Sequence, residues 1–211
     1  MSELKADDLH FHYADGTEVL RGVNLAVLRG EMVAILGENA SGKTTLLKLL
    51  AGLVSPSSGS ATVNDVPVHR VRDRVGIVFQ NPDHQMIAAT VEEELALGLE
   101  LRGVPQSVMH FQVEELLSQF DLTGLRAASP ESLSGGQKQR VALAAVMVSN
   151  PEFLLLDEPD SLLDAPSRAE FEKAIEIVRA SCGIVWTSPH PKRLPKSDRR
   201  FELRDGVLNS R

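Results

Sequence analysis

Cysteine is nearly absent: Cys182 is the only one among 211 residues, so no disulfide can form within the chain. That suits a reducing compartment such as the cytoplasm. Long hydrophobic runs are missing as well. The longest uninterrupted one is Val141 to Val148, against the roughly 20 residues that a bilayer-spanning helix requires. Any service to a membrane is therefore expected from outside the bilayer. The opening Met-Ser-Glu-Leu-Lys-Ala-Asp-Asp has no apolar segment of the kind a secretory signal carries. Positive charge is not in excess: 22 Lys and Arg face 29 Asp and Glu, a net charge of −7. Broad nucleic-acid binding loses its electrostatic basis, and nucleic acid is not an expected partner. There is no internal repeat and no low-complexity tract, which predicts one copy of one architecture over 1–211.

What is present alternates. The first thirty residues read as strands around two turn signals, Asp15-Gly16 and Arg29-Gly30. Met32 to Leu36 is a short apolar run ending at a glycine, as a buried strand does. Thr44 to Leu53 carries apolar residues at helical spacing. Strands are expected at Ser60 to Asn64 and Val75 to Gln80. A helical stretch from Val91 to Gln119 follows, interrupted at Gly103 and Pro105. Lys138 to Ser149 predicts another helix, stopped by Asn150-Pro151. Phe153 to Leu156 predicts a strand, Ser167 to Ala180 a helix, Ile184 to Thr187 a strand, and Asp205-Gly206 the turn of a last hairpin. The pattern predicts an α/β fold: a mostly parallel sheet, an N-terminal antiparallel β lobe, and a helical lobe inserted at about 86–132.

Gly37-Glu38-Asn39-Ala40-Ser41-Gly42-Lys43-Thr44 fits the phosphate-loop pattern G-x-x-x-x-G-K-[ST], between an expected strand and an expected helix. Glycines let the backbone wrap so that N–H groups face phosphate oxygens, and the helix N-terminus adds its dipole. Lys43 neutralises β- and γ-phosphates, and the Thr44 hydroxyl is a candidate Mg²⁺ ligand. A chance match in a glycine-containing turn is the competing reading, and the strand–helix context weighs against it. Phe153-Leu154-Leu155-Leu156-Asp157-Glu158 delivers two carboxylates at a strand's C-terminal end, where open α/β sheets bind ligands. Asp157 suits Mg²⁺, and Glu158 suits a general base that polarises water. Two solvated acids after a strand would look the same in isolation.

Leu133-Ser134-Gly135-Gly136-Gln137, continued by Lys138-Gln139-Arg140, narrows this P-loop NTPase further, because it resembles the signature of ABC-type ATPases. A Ser-Gly-Gly turn at a helix N-terminus is a second anion cradle. The resemblance implies that Ser134, Gly135, Gly136 and Gln137 cap the ATP of a partner subunit, so that two chains sandwich two nucleotides. It implies stacking of adenine on Tyr13, for which a core position in a strand is the alternative. The phosphates would be held by 37–45, Thr45 included. Gln80 would sense Mg²⁺ and γ-phosphate, and Asp164 would reach across the dimer. The run Val78-Phe79-Gln80-Asn81-Pro82-Asp83-His84-Gln85, with Ala89-Thr90-Val91-Glu92-Glu93-Glu94, is similar to the ATPases of energy-coupling-factor importers for vitamins, cobalt and nickel. The implied protein hydrolyses Mg-ATP as a homo- or heterodimer and drives a membrane-embedded coupling subunit. It would lie at the inner face of the cell membrane.

Three departures from the family pattern stand out. The switch histidine normally follows a strand-end threonine, yet Thr187 is followed by Ser188-Pro189-His190-Pro191. Either His190 still reaches the γ-phosphate or Ser188 takes its place. Asp160 stands where a small or hydroxyl residue is usual, adding a negative charge near the triphosphate. Ala40 replaces a common glycine, which main-chain recognition should tolerate. His10 and His12 would share a strand face, as a metal pair does, without a visible third ligand. Two other functions remain open: a soluble ABC ATPase of DNA maintenance or translation, and a slow regulatory subunit within a heterodimer.

Overall fold

Residues 2–211 are described in the computed structural model, and the chain divides into two compact units. The first consists of Met1–Ile77, Pro151–Glu158 and Val178–Arg211, the second of Val78–Asn150 and Pro159–Ile177.

Along the first unit run β1 (Glu3–His12), β2 (Glu18–Leu28), β3 (Met32–Leu36), α1 (Lys43–Leu50), β4 (Ser58–Val63), β5 (Val66–Pro67), most of β6 (Val75–Val78), β7 (Phe153–Leu156), β8 (Gly183–Ser188), β9 (Arg199–Arg204) and β10 (Val207–Ser210). An antiparallel sheet has the order β2-β1-β4-β5, and a second sheet the order β10-β9-β3-β8-β7-β6. In the antiparallel sheet apolar and polar residues alternate, with Leu4, Ala6, Leu20, Val23, Leu25 and Val27 turned inward. Every residue of β3, β7 and β8 is buried. That is why β3 and β7 read as unbroken apolar runs rather than alternating ones, and β8 turns polar only at Thr187-Ser188. One core joins the inner face of the antiparallel sheet, α1 (Leu46, Leu47, Leu49, Leu50) and the other sheet (Val33, Ile35, Leu155, Val185).

The register positions the site. β3 pairs parallel with β8, with Leu36 opposite Ser188, and β8 pairs parallel with β7, with Leu156 opposite Trp186. Three neighbouring parallel strands therefore end on the same edge and deliver Gly37, Thr187-Ser188 and Asp157-Glu158 to one place. At the opposite edge Cys182 is buried, its Sγ donating to the Pro151 carbonyl at 3.1 Å, and burial raises its thiol above the ordinary value.

The second unit holds α2 (Val91–Glu100), α3 (Gln106–Gln119), α4 (Gly135–Met147) and most of α5 (Ala165–Arg179). Thr90 and Glu93 form a reciprocal capping box that starts α2, and Gly103 at φ 68° with Pro105 separates it from α3. α2 packs against α3 and α4, burying Val91, Leu95 and Leu99 at helical spacing. The helices expected at 86–132 fall inside this unit, which continues beyond them at both ends.

The expected element ends differ for local reasons. α1 stops at Leu50 rather than Leu53 because Gly52 adopts φ 67°, a left-handed helix terminus. β4 stops at Val63 because Asn64 and Asp65 both turn through positive φ. α4 begins three residues before Lys138 because Ser134 caps it, so the two signature glycines form its first turn.

Candidate functional site

In the first unit the loop 37–42 leaves β3 and enters α1. Gly37 N–H donates to the Ser188 carbonyl at 3.2 Å, tying the loop's start to the end of β8. Gly42 sits at φ 102°, where a Cβ would come within 2.9 Å of Val19 Cγ1, so neither backbone nor space admits a side chain. Ala40 adopts φ 63°. Alanine is therefore not neutral there, since a left-handed L-residue costs about 1 kcal/mol. As N-cap, Gly42 offers no side chain to the first-turn N–H groups of α1, which keep the anion-binding character of a helix start.

Lys43 is almost fully buried. Its ammonium donates to the carbonyls of Gly37 at 2.7 Å and Glu38 at 2.8 Å, and it lies 3.1 Å from Glu158 Oε1. The Thr44 hydroxyl donates to Asp157 Oδ2 at 2.7 Å, and the Thr187 hydroxyl lies 3.2 Å from Asp157 Oδ1. Burial raises the Asp157 carboxyl above its ordinary value. Hydrogen bonds from Thr44 and Thr187 oppose that shift, Glu158 adds to it, and Lys43 draws it down. Glu158 adopts φ 47°, unusual for a non-glycine residue, and its N–H donates to Thr187 Oγ1 at 3.0 Å. Lys43, Thr44, Asp157 and Glu158 thus lie together. Thr187 was not foreseen as a member. Its signal was available: a hydroxyl residue ending an apolar strand that pairs in register with the strand carrying the acids.

Tyr13 is half-exposed, which excludes the core alternative. Its hydroxyl lies 3.0 Å from Thr45 Oγ1, and its ring stands edge-on to Phe11. Ser188 is buried. Its hydroxyl accepts from His190 N–H at 3.1 Å and lies 3.2 Å from His190 O, while His190 itself is exposed. His10 Nε2 lies 3.3 Å from Asp8 Oδ1 and His12 Nδ1 lies 3.3 Å from the Tyr13 carbonyl. Irregular pairing of β1 with β2 from Ala6 to His12 breaks the strict alternation that the shared-face reading assumed.

In the second unit the signature forms a capping box. Ser134 Oγ accepts from Gln137 N–H at 3.3 Å, and Gln137 Oε1 accepts from Ser134 N–H at 2.9 Å. Gly136 is held against α5, where a Cβ would lie 2.6 Å from Ser167 Cβ. The Asp164 carboxylate caps α5 by accepting from Ser167 N–H at 2.9 Å, and the Ser167 side chain and N–H lower its pKa. Gln80 donates its amide N–H to Ser161 Oγ at 3.1 Å. A cleft of about 130 Å³ is lined by Gln80, Gly135 and Leu162 among others. Asp160, expected to add a negative charge near the triphosphate, has a buried carboxylate that lies 3.3 Å from Arg168 Nε. Glu92, His110 and Glu114 also come close enough to suggest a metal cluster, but Arg126, paired with Glu114 and 4.0 Å from Glu92, already places a cation among them.

Known proteins resemble this chain in sequence and fold. A profile of the ABC transporter family matches residues 20–161. The energy-coupling factor transporter ATP-binding protein EcfA1 of Lacticaseibacillus paracasei is 39% identical over 214 aligned residues, covering 98% of this chain and 77% of that protein. The EcfA protein of Methanocaldococcus jannaschii is also 39% identical, over 97% of this chain and 77% of its own length. Among solved structures, cbiO1 of Clostridium perfringens, described as part of the ABC transporter complex cbiONQ, superposes with a TM-score of 0.86. It is 32% identical, covering 97% of this chain and 86% of that one. Similarity of this degree along nearly the whole length leaves one assignment: the chain belongs to the ABC transporter family, as an ATPase subunit of the energy-coupling factor type.

Proposed function

We propose that the chain powers uptake through a membrane importer by binding and hydrolysing Mg-ATP in a dimer of ATPase subunits. The observation that carries this reading is the convergence of Lys43, Thr44, Asp157 and Glu158 at one edge of the parallel sheet. Backbone N–H groups of 37–45 hold the phosphates, with Lys43 neutralising them. Mg²⁺ fits the donor set, since a threonine hydroxyl and a buried carboxylate offer hard oxygens side by side. When bound, the ion offsets charge on the phosphate oxygens. Glu158 acts as general base on water. Tyr13 stacks on adenine; its exposed ring beside Thr45 supports that role. Of the two switch candidates His190 is favoured, because the Ser188 hydroxyl is engaged by the turn's own backbone.

Ser134, Gly135, Gly136, Gln137 and Asp164 serve the ATP held by the second subunit, and Gln80 helps place Mg²⁺ and water. Family resemblance supports these roles. The membrane-embedded subunit and a peripheral site at the inner face of the cell membrane are supported by relatives named as parts of transporters. Among the described residues no helix is long and apolar enough to cross a membrane. No relative cited above supports the soluble alternative in DNA maintenance or translation. The test is co-purification of tagged Glu158→Gln from detergent-solubilised host membranes with Mg-ATP. Recovery of a membrane protein together with an ATPase dimer is expected. Recovery of soluble proteins alone, from membranes whose other complexes survive, would overturn the importer reading.

A further inference from the structure

Asp160 is the departure that the proposed chemistry leaves unused. Its side chain is 2% exposed, and a carboxylate so placed needs a cation beside it. Arg168 supplies one, with Nε 3.3 Å from Asp160 Oδ2 and 2.9 Å from Glu172 Oε1 one turn further along α5. The segment between the two charges is closed on itself. Leu163 N–H donates to Asp160 O at 3.2 Å, Arg168 N–H to Asp164 O at 2.9 Å, and Ser167 N–H to the Asp164 carboxylate. Ser161, next to Asp160, offers its Oγ to the Gln80 amide. Ser167, next to Arg168, is the residue against which Gly136 is packed. One ion pair therefore stands between three segments of the second unit: Gln80, the loop 159–164 and the start of the signature helix.

We propose that Asp160 and Arg168 are positioning residues, a latch that fixes the loop 159–164 and, through Ser161, the rotation of the Gln80 amide. The proposal rests on the ATPase reading of Gln80 given above. With Nε2 of Gln80 turned to Ser161, the amide's rotation is set before nucleotide arrives, so no rotamer entropy is spent when it engages Mg²⁺ or water. Asp164 and the signature turn keep a constant position relative to it.

The test uses the full chain with Arg168→Gln, Asp160→Ser, the double variant and Arg168→Lys. Amide hydrogen exchange is read without nucleotide, and kcat, KM for ATP and the Mg²⁺ concentration for half-maximal rate are read with it. In both single variants exchange at 161–168 should accelerate by about tenfold while α2 and α3 are unchanged. kcat should fall by about tenfold with KM within about twofold, and more Mg²⁺ should be needed. The double variant should be no worse than the weaker single one, and Arg168→Lys should recover part of the loss, as expected of residues acting as a pair. Unchanged exchange at 161–168 overturns the latch. So does a loss of kcat that merely follows the loss of folded protein, with unaltered Mg²⁺ dependence. If the wild-type chain, in its assembly, hydrolyses no ATP, the functional reading fails on that result, and the exchange data still decide whether the pair holds the loop.

Discussion

Lys43 has two claims on it: the carbonyls of its own loop together with Glu158, and the phosphates it is suited to neutralise. Glu158→Gln removes the carboxylate that competes for the ammonium and also the general base. Hydrolysis should fall by about 10²–10⁴-fold, while nucleotide affinity of the variant is retained or increased, as equilibrium binding of a non-hydrolysable ATP analogue would show. Asp157 allows a pH prediction. Its folded-state pKa lies above the unfolded value of 3.8, so the folded chain holds the extra proton as pH climbs from there toward the raised value. Stability contributed by this group falls through that window and is level above it. Asp157→Asn can keep both hydrogen bonds, accepting from Thr44 and donating to Thr187. It should raise the unfolding midpoint of the nucleotide-free chain at neutral pH by about 2–4 °C, the shift that ~1 kcal/mol produces in a chain of this size. Mg²⁺-dependent hydrolysis should be lost. A midpoint that drops, in thermal unfolding followed by circular dichroism, would contradict this account of Asp157.

Among the elements, the start of α4 is where space is shortest. A methyl at Gly136 would lie 2.6 Å from Ser167 Cβ, so Gly136→Ala must push α4 and α5 apart. Overpacking of this kind costs about 1–3 kcal/mol, to be read from denaturant unfolding, and activity should fall with it. Gly135→Ala meets nothing nearer than 3.9 Å and should leave stability close to wild type. Elements were the most legible part of the sequence. β3 and β7 were readable because strands buried on both faces are apolar throughout, β8 because it is apolar up to Thr187-Ser188, and the phosphate loop because its glycines and lysine follow a fixed spacing. Element ends were less so, since the left-handed turns at Gly52 and Asn64 compete with a still-favourable apolar pattern. The contacts of Gln80 with Ser161 and of Asp160 with Arg168 were not legible. Neither pair has a periodicity, and the first spans 81 positions of sequence. Only the folded second unit brings them together.

For the whole molecule, binding that favours the folded state raises stability by mass action. A ligand at one hundred times its Kd adds about 2.7 kcal/mol, so saturating Mg-ATP should raise the unfolding midpoint of Glu158→Gln by about 5–10 °C. Lys43→Ala should abolish that shift, and a persistent shift would place the nucleotide elsewhere. The same folded chain keeps its one thiol out of reach. Cys182 lies buried with its Sγ engaged by Pro151, and its thiolate is disfavoured, which removes the species that reacts with alkylating reagents and oxidants. The native protein is therefore chemically silent toward maleimides. A cysteine introduced at exposed Leu162 would be the sole point of attachment for a fluorophore or spin label, and loop movement during turnover could be followed without first replacing the natural residue.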